Sequence, residues 1–133
     1  MSQENVKIVR RALDAFNRRD FDAWLEGFDR DVVWYAFPDE PDPGPFRGHE
    51  AIRAMVARWM EVLDEFRSEP KEFIAEGDYV LMPTRMIGRV QGTENEVTID
   101  EVYLNKLRDG TIIEVREFRT RQEALEAAGL SED

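Results

Sequence analysis

Residues 96–119 read EVTIDEVYLNKLRDGTIIEVREFR, and this stretch decides the fold. Apolar and polar side chains alternate on both sides of Arg108-Asp109-Gly110, which predicts two antiparallel strands joined by a hairpin turn. Similar period-two patterns come before this stretch, so we predict four consecutive antiparallel strands. Their predicted bounds are 68–75, 79–90, 96–107 and 111–119. Pro83 lies inside the second of them, and we expect a bulge there because proline cannot donate to a strand ladder.

The part of the chain before these strands has a helical pattern. Apolar residues recur there at three- and four-residue steps, which predicts three amphipathic helices over 3–18, 21–28 and 48–66. A β-rich segment at 32–37 predicts one further strand, and the four prolines between 38 and 45 predict a stiff loop. After the last strand, a capping box that starts at Thr120 begins a final short helix.

This order of elements predicts an α+β domain. Helices segregated on one side of a long antiparallel sheet favour a cone-shaped barrel, in which the curved antiparallel sheet wraps around the N-terminal helices. We find no linker or internal repeat, so we predict a single domain over residues 1–133. A cone of this kind is a natural site for a small apolar ligand.

Composition and charge exclude several classes of protein. The chain has 133 residues and a formal net charge of −11, which repels phosphate backbones and anionic lipids, so we expect no nucleic-acid or membrane partner. The absence of cysteine excludes a disulfide scaffold, a thiol nucleophile and a cysteine-based metal site. No apolar run approaches the roughly 20 residues of a transmembrane helix, and the first residues lack the pattern of a signal peptide. We therefore expect a cytoplasmic protein.

Several stretches carry a family resemblance: Asn5 to Asn17, Asp31-Val-Val-Trp34, Phe46-Arg-Gly48, Leu107 to Ile112 and Glu123 to Leu130. With these motifs the chain resembles the SnoaL-like family of the nuclear-transport-factor-2-like superfamily, whose members are cone-shaped α+β barrels. That superfamily includes ketosteroid isomerases, polyketide cyclases, limonene-epoxide hydrolases, scytalone dehydratases and non-catalytic binding domains. The resemblance therefore implies the fold, and the function has to be argued from the residues that line the cone.

The strand at 96–107 carries the candidate catalytic residues. Alternation puts Glu101, Tyr103 and Asn105 on one face and Val102 and Leu104 on the other. The resemblance implies that the first face lines the pocket, because the family's pocket-facing position, often histidine, aligns with Tyr103. Glu101 is then the candidate general acid/base, Tyr103 the hydrogen-bond donor and Asn105 the residue that orients the substrate. We expect the opposite face to form a homodimer.

An alternative interpretation of this strand is structural. In it, Glu101 pairs with one of the nearby arginines and Tyr103 only fills space in the core. The candidate arginines are Arg85, Arg116 and Arg119.

Other residues are expected to bind the ligand. Glu117 is either a second carboxylate near Glu101 or a solvated strand end, and the second interpretation is the one we prefer. His49, the only histidine, is expected to be exposed and not catalytic. The remaining predicted lining residues, each of which can equally belong to the core, are Trp34, Phe37, Phe46, Met55, Trp59, Met82, Thr84 and Met86.

These residues predict a pocket for a small, largely apolar, carbonyl-bearing metabolite. If the protein is an enzyme, it is an isomerase, cyclase or epoxide hydrolase that works without a metal or organic cofactor. Phe16 stands where the resemblance places the oxyanion-binding tyrosine of steroid isomerases, and epoxide hydrolysis would require a suitably placed arginine. The alternative is a non-catalytic ligand-binding or dimerisation module of the same fold.

Overall fold

The computed structural model describes residues 2–130, so both ends of the predicted domain, Met1 and 131–133, lie outside the described residues. The helices are α1 (Ser2–Asn17), α2 (Phe21–Glu26), α3 (Gly48–Val62) and α4 (Arg121–Ala128). The strands are β1 (Phe28–Tyr35), β2 (Phe46–Arg47), β3 (Leu63–Pro70), β4 (Ile74–Glu76), β5 (Tyr79–Val90), β6 (Glu96–Arg108) and β7 (Thr111–Phe118). None of the helices in residues 2–130 combines the length and the hydropathy of a membrane span.

All the strands belong to one sheet, ordered β2-β1-β7-β6-β5-β3, with β4 paired to β5 beside β3. The α+β class is confirmed, with the N-terminal helices on the inner side of a curved sheet. The sheet is mixed, which differs from the prediction. Strands β1 and β7 pair in parallel, while all the other strand pairs are antiparallel. Within the described residues its two ends, β2 and β3, do not pair, so the sheet stays open.

The junction between α3 and β3 was predicted wrongly. The helix ends at Val62, and Leu63 is already extended, whereas the periodicity predicts a helix to residue 66. Leu63 and Phe66 are both buried, and their three-residue spacing imitates a continued helical stripe. The spacing arises instead from a β-bulge, where Glu65 has a φ of 51° and the pairing with β5 shifts between Asp64 and Arg67.

The bulge expected at Pro83 is also absent, because β5 and β6 stay in register from Tyr79 to Arg89. The irregularity lies in the neighbouring strand instead. There β3 ends at Pro70 and β4 begins at Ile74, and the Lys71 N–H donates to the Pro83 carbonyl at 2.8 Å. Pro83, which has no N–H to donate, thus faces the interruption between two partner strands.

The outer face of the sheet is covered by α4. Its capping box, formed by Thr120 and Glu123, begins the helix directly after β7. Ala124 and Leu125 then pack on a cluster that contains Val102 and Leu104, which are 5% and 2% exposed. The chain's own helix therefore covers Val102 and Leu104, the two side chains that we expected to face a second subunit.

Candidate active site

A cavity of about 70 Å³ lies between the inner face of the sheet and α1, α2 and α3. Half of its lining is aromatic: Phe16, Trp24, Trp34, Phe37, Trp59, Phe66 and Tyr103. The polar side chains in its wall are Glu101 and Glu117, beside the hydroxyl of Tyr103. The cavity therefore combines an apolar enclosure with two carboxyl groups.

The strand register brings these polar groups together. Tyr103 on β6 lies directly opposite Glu117 on β7, and Glu101 follows on the same face of β6, opposite Thr84 of β5. Glu101 is 6% exposed. Glu117 is part-buried, and its Oε2 accepts a hydrogen bond of 2.6 Å from the indole N–H of Trp34. The interpretation of Glu117 as a solvated strand end is therefore wrong.

Burial shifts the ionisation of both acids. It raises the pKa of Glu101 to about 7, against the smaller opposing effects of the Tyr103 hydroxyl and the Arg119 guanidinium. It raises the pKa of Glu117 to about 8, and the charge of Glu101 adds to this rise while the Trp34 hydrogen bond opposes it. At neutral pH the pair of acids therefore holds at least one proton. When one of the two acids is ionised, its neighbour is still a neutral carboxylic acid.

Tyr103 remains a neutral hydrogen-bond donor. Burial raises the pKa of its hydroxyl well above the ordinary value, and the neighbouring carboxylates act in the same direction. Its ring, with Trp34, Trp24 and Phe16, also separates the cavity from a deeper one of about 50 Å³. Tyr103 is thus part of the wall of both cavities.

Asn105 lines the deeper cavity and is buried. Its Nδ2 donates to the Val80 carbonyl at 3.2 Å. Ser68, also buried, lies in the same wall and is held by Asn17, whose side chain bonds both the N–H and the carbonyl of Ser68. The predicted row on β6 therefore points inward, with Glu101 and Tyr103 at the first cavity and Tyr103 and Asn105 at the second.

A groove between α3 and the proline loop at 38–45 adjoins the cavity. This groove, of about 350 Å³, shares Met55, Trp59 and Glu117 with the inner cavity. Its outer part carries Glu40, Asp42 and Arg58, and the charge of Glu40 contributes to the raised pKa of Glu117. Of the two cavity carboxyl groups, Glu117 therefore borders both the cavity and the groove.

The three arginines that could have neutralised Glu101 are engaged elsewhere. Arg116 pairs with Glu114 at 3.0 Å. Arg85 bonds Asp100 at 2.9 Å, and Asp100 lies on the opposite face of β6. Arg119 donates to Asp39 at 3.3 Å and lies 3.6 Å from the centre of the Phe37 ring. Among the described residues, no ion pair includes Glu101 or Glu117.

The other predicted lining residues fall into three groups. Trp34, Phe37, Met55, Trp59 and Met86 line the inner cavity, Met82 lines the deeper one and Phe46 lines the groove. Thr84 lines none of these spaces, because it is buried within the sheet and its hydroxyl donates to the Met82 carbonyl at 2.8 Å. His49 is half-buried rather than exposed, with its Nε2 3.0 Å from the Phe28 carbonyl.

Three aromatic lining residues were not predicted as part of the site: Phe16, Trp24 and Phe66. The spacing of Phe16 on α1 and of Trp24 on α2 indicates only a core position. The same holds for Phe66, which lies in the stretch that was wrongly predicted to continue α3. The hairpin turn alone does not place Glu117 in the site. A bulge between Lys106 and Leu107 shifts the pairing by one residue, which places Glu117 rather than Arg116 opposite Tyr103.

Comparisons with known proteins agree with this architecture. A family model described as a SnoaL-like domain matches residues 9–115. Among solved structures, an NTF2-like protein from Burkholderia xenovorans is 29% identical, with 96% of this chain and 97% of that chain covered and a TM-score of 0.74.

Two further solved structures are each 25% identical to the chain. A Jannaschia protein assigned as a SnoaL-like polyketide cyclase has a TM-score of 0.76, with 96% of this chain and 92% of that one covered. TerC, co-crystallised with polyporic acid, has a TM-score of 0.78, with coverages of 92% and 96%. No curated protein matches.

Proposed function

Because the chain belongs to the SnoaL-like domain family, we propose that it is a cofactor-free enzyme that transfers a proton on a small, largely apolar, carbonyl-bearing metabolite. One observation carries the proposal: Glu101 and Glu117, both with a raised pKa, share an aromatic cavity. Such pairs of acids are typical of general acid–base sites, where burial moves a carboxyl pKa towards the working pH. The similarity to an assigned polyketide cyclase supports the same class of chemistry.

In the proposed reaction, the ionised carboxylate of Glu101 accepts a proton from the carbon next to the substrate carbonyl. The electron pair of that C–H bond forms the C=C bond of an enol. Glu117, as the neutral acid, protonates the carbonyl oxygen, and the Tyr103 hydroxyl donates a hydrogen bond to it. Return of the proton from Glu101 to another carbon of the extended enol, and of the enol proton to Glu117, completes an isomerisation.

A cyclisation uses the same groups with a different second step. The enol carbon forms a bond to a second carbonyl carbon of the substrate, whose oxygen takes the proton from Glu101, while the enol proton returns to Glu117. Both outcomes regenerate the two carboxyl groups, so neither needs a co-reactant. The apolar walls disfavour the charged states of both acids, which keeps their pKa values near neutrality.

Epoxide hydrolysis is less well supported by the site. Epoxide hydrolases of the superfamily that the chain resembles use an arginine between two acids. In this chain Arg85 bonds Asp100 and Arg119 bonds Asp39 instead. A purely structural role is also disfavoured. The buried Glu101 and the part-buried Glu117 form no ion pair within residues 2–130 and lower the stability of the fold, which is typical of groups kept for function.

The test is α-proton exchange on a small ketone. We expect the wild-type protein to catalyse deuterium incorporation into cyclohexenone in D₂O, measured by NMR. Glu101→Gln should lower the rate by about 100-fold or more, because it removes the base while keeping the shape of the side chain. Glu96→Gln, an exposed position on the same strand, is the matched control and should exchange at the wild-type rate.

A thermal-shift panel then identifies the substrate class. The panel contains steroids, anthraquinone-like polyketides, terpene epoxides and fatty acids, and a ligand at 100 times its Kd stabilises the fold by about 2.7 kcal/mol. Equal exchange rates in the wild type and in Glu101→Gln, with both proteins folded, would contradict the proposed role of Glu101.

A further inference from the structure

Aromatic rings that lie at steep angles to one another surround the cavity. Trp24 and Trp34 have centroids 6.1 Å apart at an interplanar angle of 69°, and Trp34 and Tyr103 are 6.0 Å apart at 73°. Phe16 and Trp24 meet at 5.1 Å and 62°. Rings tilted in this way bound a small space from several directions, which is the arrangement that aromatic cages use for alkylated ammonium groups.

The charges of the cavity wall favour a cation. Its lining holds Glu101 and Glu117 and, among the described residues, no lysine, arginine or histidine. Glu40 and Asp42 add negative charge along the groove, and the whole chain carries −11. Arg58, the basic residue of the groove, lies over the Phe46 ring at 5.7 Å. A positively charged ligand is therefore attracted both to the protein and to the cavity.

The nearest competing guanidinium is held outside. Arg119 is close enough to lower the pKa of both acids, yet it bonds Asp39 and stacks on Phe37 rather than lining the cavity. Buried acids normally lie next to a cationic side chain, because an isolated buried charge is strongly unfavourable. Here the cavity contains the acids and the aromatic faces but not the cation.

We propose that this cavity binds a small alkylated ammonium group, such as the head of a tertiary or quaternary amine, between the aromatic rings and the carboxylates of Glu101 and Glu117. The methyl groups of such a ligand contact the rings, and its charge pairs with the carboxylates. This inference goes beyond the proposed proton transfer and does not depend on it, since binding requires no turnover.

Binding of a cation is coupled to proton release. The charged and titratable groups in and around the site are Glu101, Glu117, Tyr103, Arg119, Glu40, Asp42 and Arg58, and the two cavity acids titrate near neutrality. A cation favours their ionised forms, so its affinity rises as the pH rises towards about 8. For each proton released, the rise is about tenfold per pH unit. A neutral ligand of the same shape gains nothing from this ionisation.

The experiment is isothermal titration calorimetry with choline and with dimethylbutanol, its neutral carbon isostere. We expect choline to bind the wild-type protein at least about tenfold more tightly than the isostere at pH 8, which corresponds to about 1.4 kcal/mol. Its affinity should fall between about pH 8 and pH 6, where the acids are protonated. Titrations in two buffers of different ionisation enthalpy should show proton release on binding of choline only.

Variants separate the roles of the two acids from general effects on folding. Glu101→Gln and Glu117→Gln should each weaken choline binding about tenfold or more. Glu114→Gln, a half-exposed position on the same strand as Glu117, should leave it unchanged. Equal affinities of the wild type for choline and dimethylbutanol would overturn the proposal, as would choline binding without proton release. Neither result bears on ketone exchange, so the proposed enzyme activity stands or fails separately.

Discussion

At the scale of single residues, the carboxyl of Glu117 connects the sheet to the aromatic wall. It lies opposite Tyr103 across the β6–β7 pair and accepts the indole N–H of Trp34 from β1. Its raised pKa follows from burial first and from the charge of Glu101 second. Because this acid takes up protons more readily in the folded chain than in the unfolded one, it makes stability depend on pH.

The sign of that dependence is opposite to that of a salt-bridged carboxylate. The folded pKa of Glu117, about 8, lies above its ordinary value of 4.5. Stability is therefore greatest below the ordinary pKa and falls as the pH rises between these two values. We predict that Glu117→Gln stabilises the protein at about pH 8.5, by on the order of 2 kcal/mol, and has little effect at about pH 4.

Chemical denaturation at several pH values measures this effect. The same substitution at exposed Glu96, on the neighbouring strand β6, provides the control and should leave the slope of stability against pH unchanged. A Glu117→Gln protein that is less stable than the wild type at alkaline pH would show that the carboxylate is stabilised, rather than strained, in the fold.

The hydrogen bond from Trp34 makes its own prediction. An indole N–H that bonds a carboxylate favours the charged form, so its removal raises the pKa of the acid. We predict that Trp34→Phe moves the titration midpoint of Glu117 upwards, measured by carbon NMR of labelled glutamate carboxyls. Trp59→Phe removes an indole from the same cavity but leaves the Trp34 bond in place, so the midpoint should move less.

Residue roles were predictable where they depended on alternation alone. Glu101, Tyr103 and Asn105 follow from the period of β6 once the resemblance has chosen the inner face. The position of Glu117 depends on a bulge between Lys106 and Leu107, which shifts the register without a turn residue or proline to mark it. Thr84 was misplaced for a related reason, because its face is correct but its hydroxyl bonds the backbone inside the sheet.

At the scale of elements, β3 and β5 are held close together at Gly88. A Cβ at this position would lie 3.1 Å from the Cβ of Phe66 and 3.3 Å from the Cδ1 of Leu63. Phe66 contacts the Phe16 ring in turn, with centroids 5.6 Å apart, so it has little freedom to move. The bulged strand that replaces the predicted end of α3 therefore depends on a glycine in its neighbour.

We predict that Gly88→Ala destabilises the protein by about 1–2 kcal/mol, because overpacking at Phe66 outweighs the conformational gain of replacing glycine. Thermal denaturation checks this, with Val90→Ala at an exposed position of the same strand as the control. If Gly88→Ala raised the Tm, the close approach of β3 and β5 would not limit this position.

Elements with strong local signals were predicted closely, and those set by packing were not. The turns and the capping box fixed β5, β6, β7 and α4 to within a residue or so of their observed bounds. The α3–β3 boundary failed, because buried residues three apart fit a helix and a bulged strand equally well. At Pro83 the missing N–H predicted a bulge in β5. The break lies instead between β3 and β4, the partner strands of β5, and no local pattern of β5 reveals it.

At the scale of the whole molecule, the formal charge of −11 opposes the compact state. Added salt screens this repulsion over a Debye length of about 8 Å at physiological ionic strength. We predict that the Tm at neutral pH rises by a few degrees when sodium chloride is added to a low-salt buffer. The rise should disappear at a pH where the net charge is close to zero. A Tm that falls with salt at neutral pH would show that attractive surface ion pairs dominate instead.

The chain's three tryptophans, Trp24, Trp34 and Trp59, all contribute to the wall of the inner cavity. Its ultraviolet emission therefore comes from fluorophores that surround the same small volume, one of them bonded to an acid that titrates near neutrality. Tryptophan fluorescence can therefore report on the state of the cavity without an added label. A change in occupancy or protonation of the cavity should alter this emission, above all that of the buried Trp24 and Trp34, whereas Trp59 is 43% exposed.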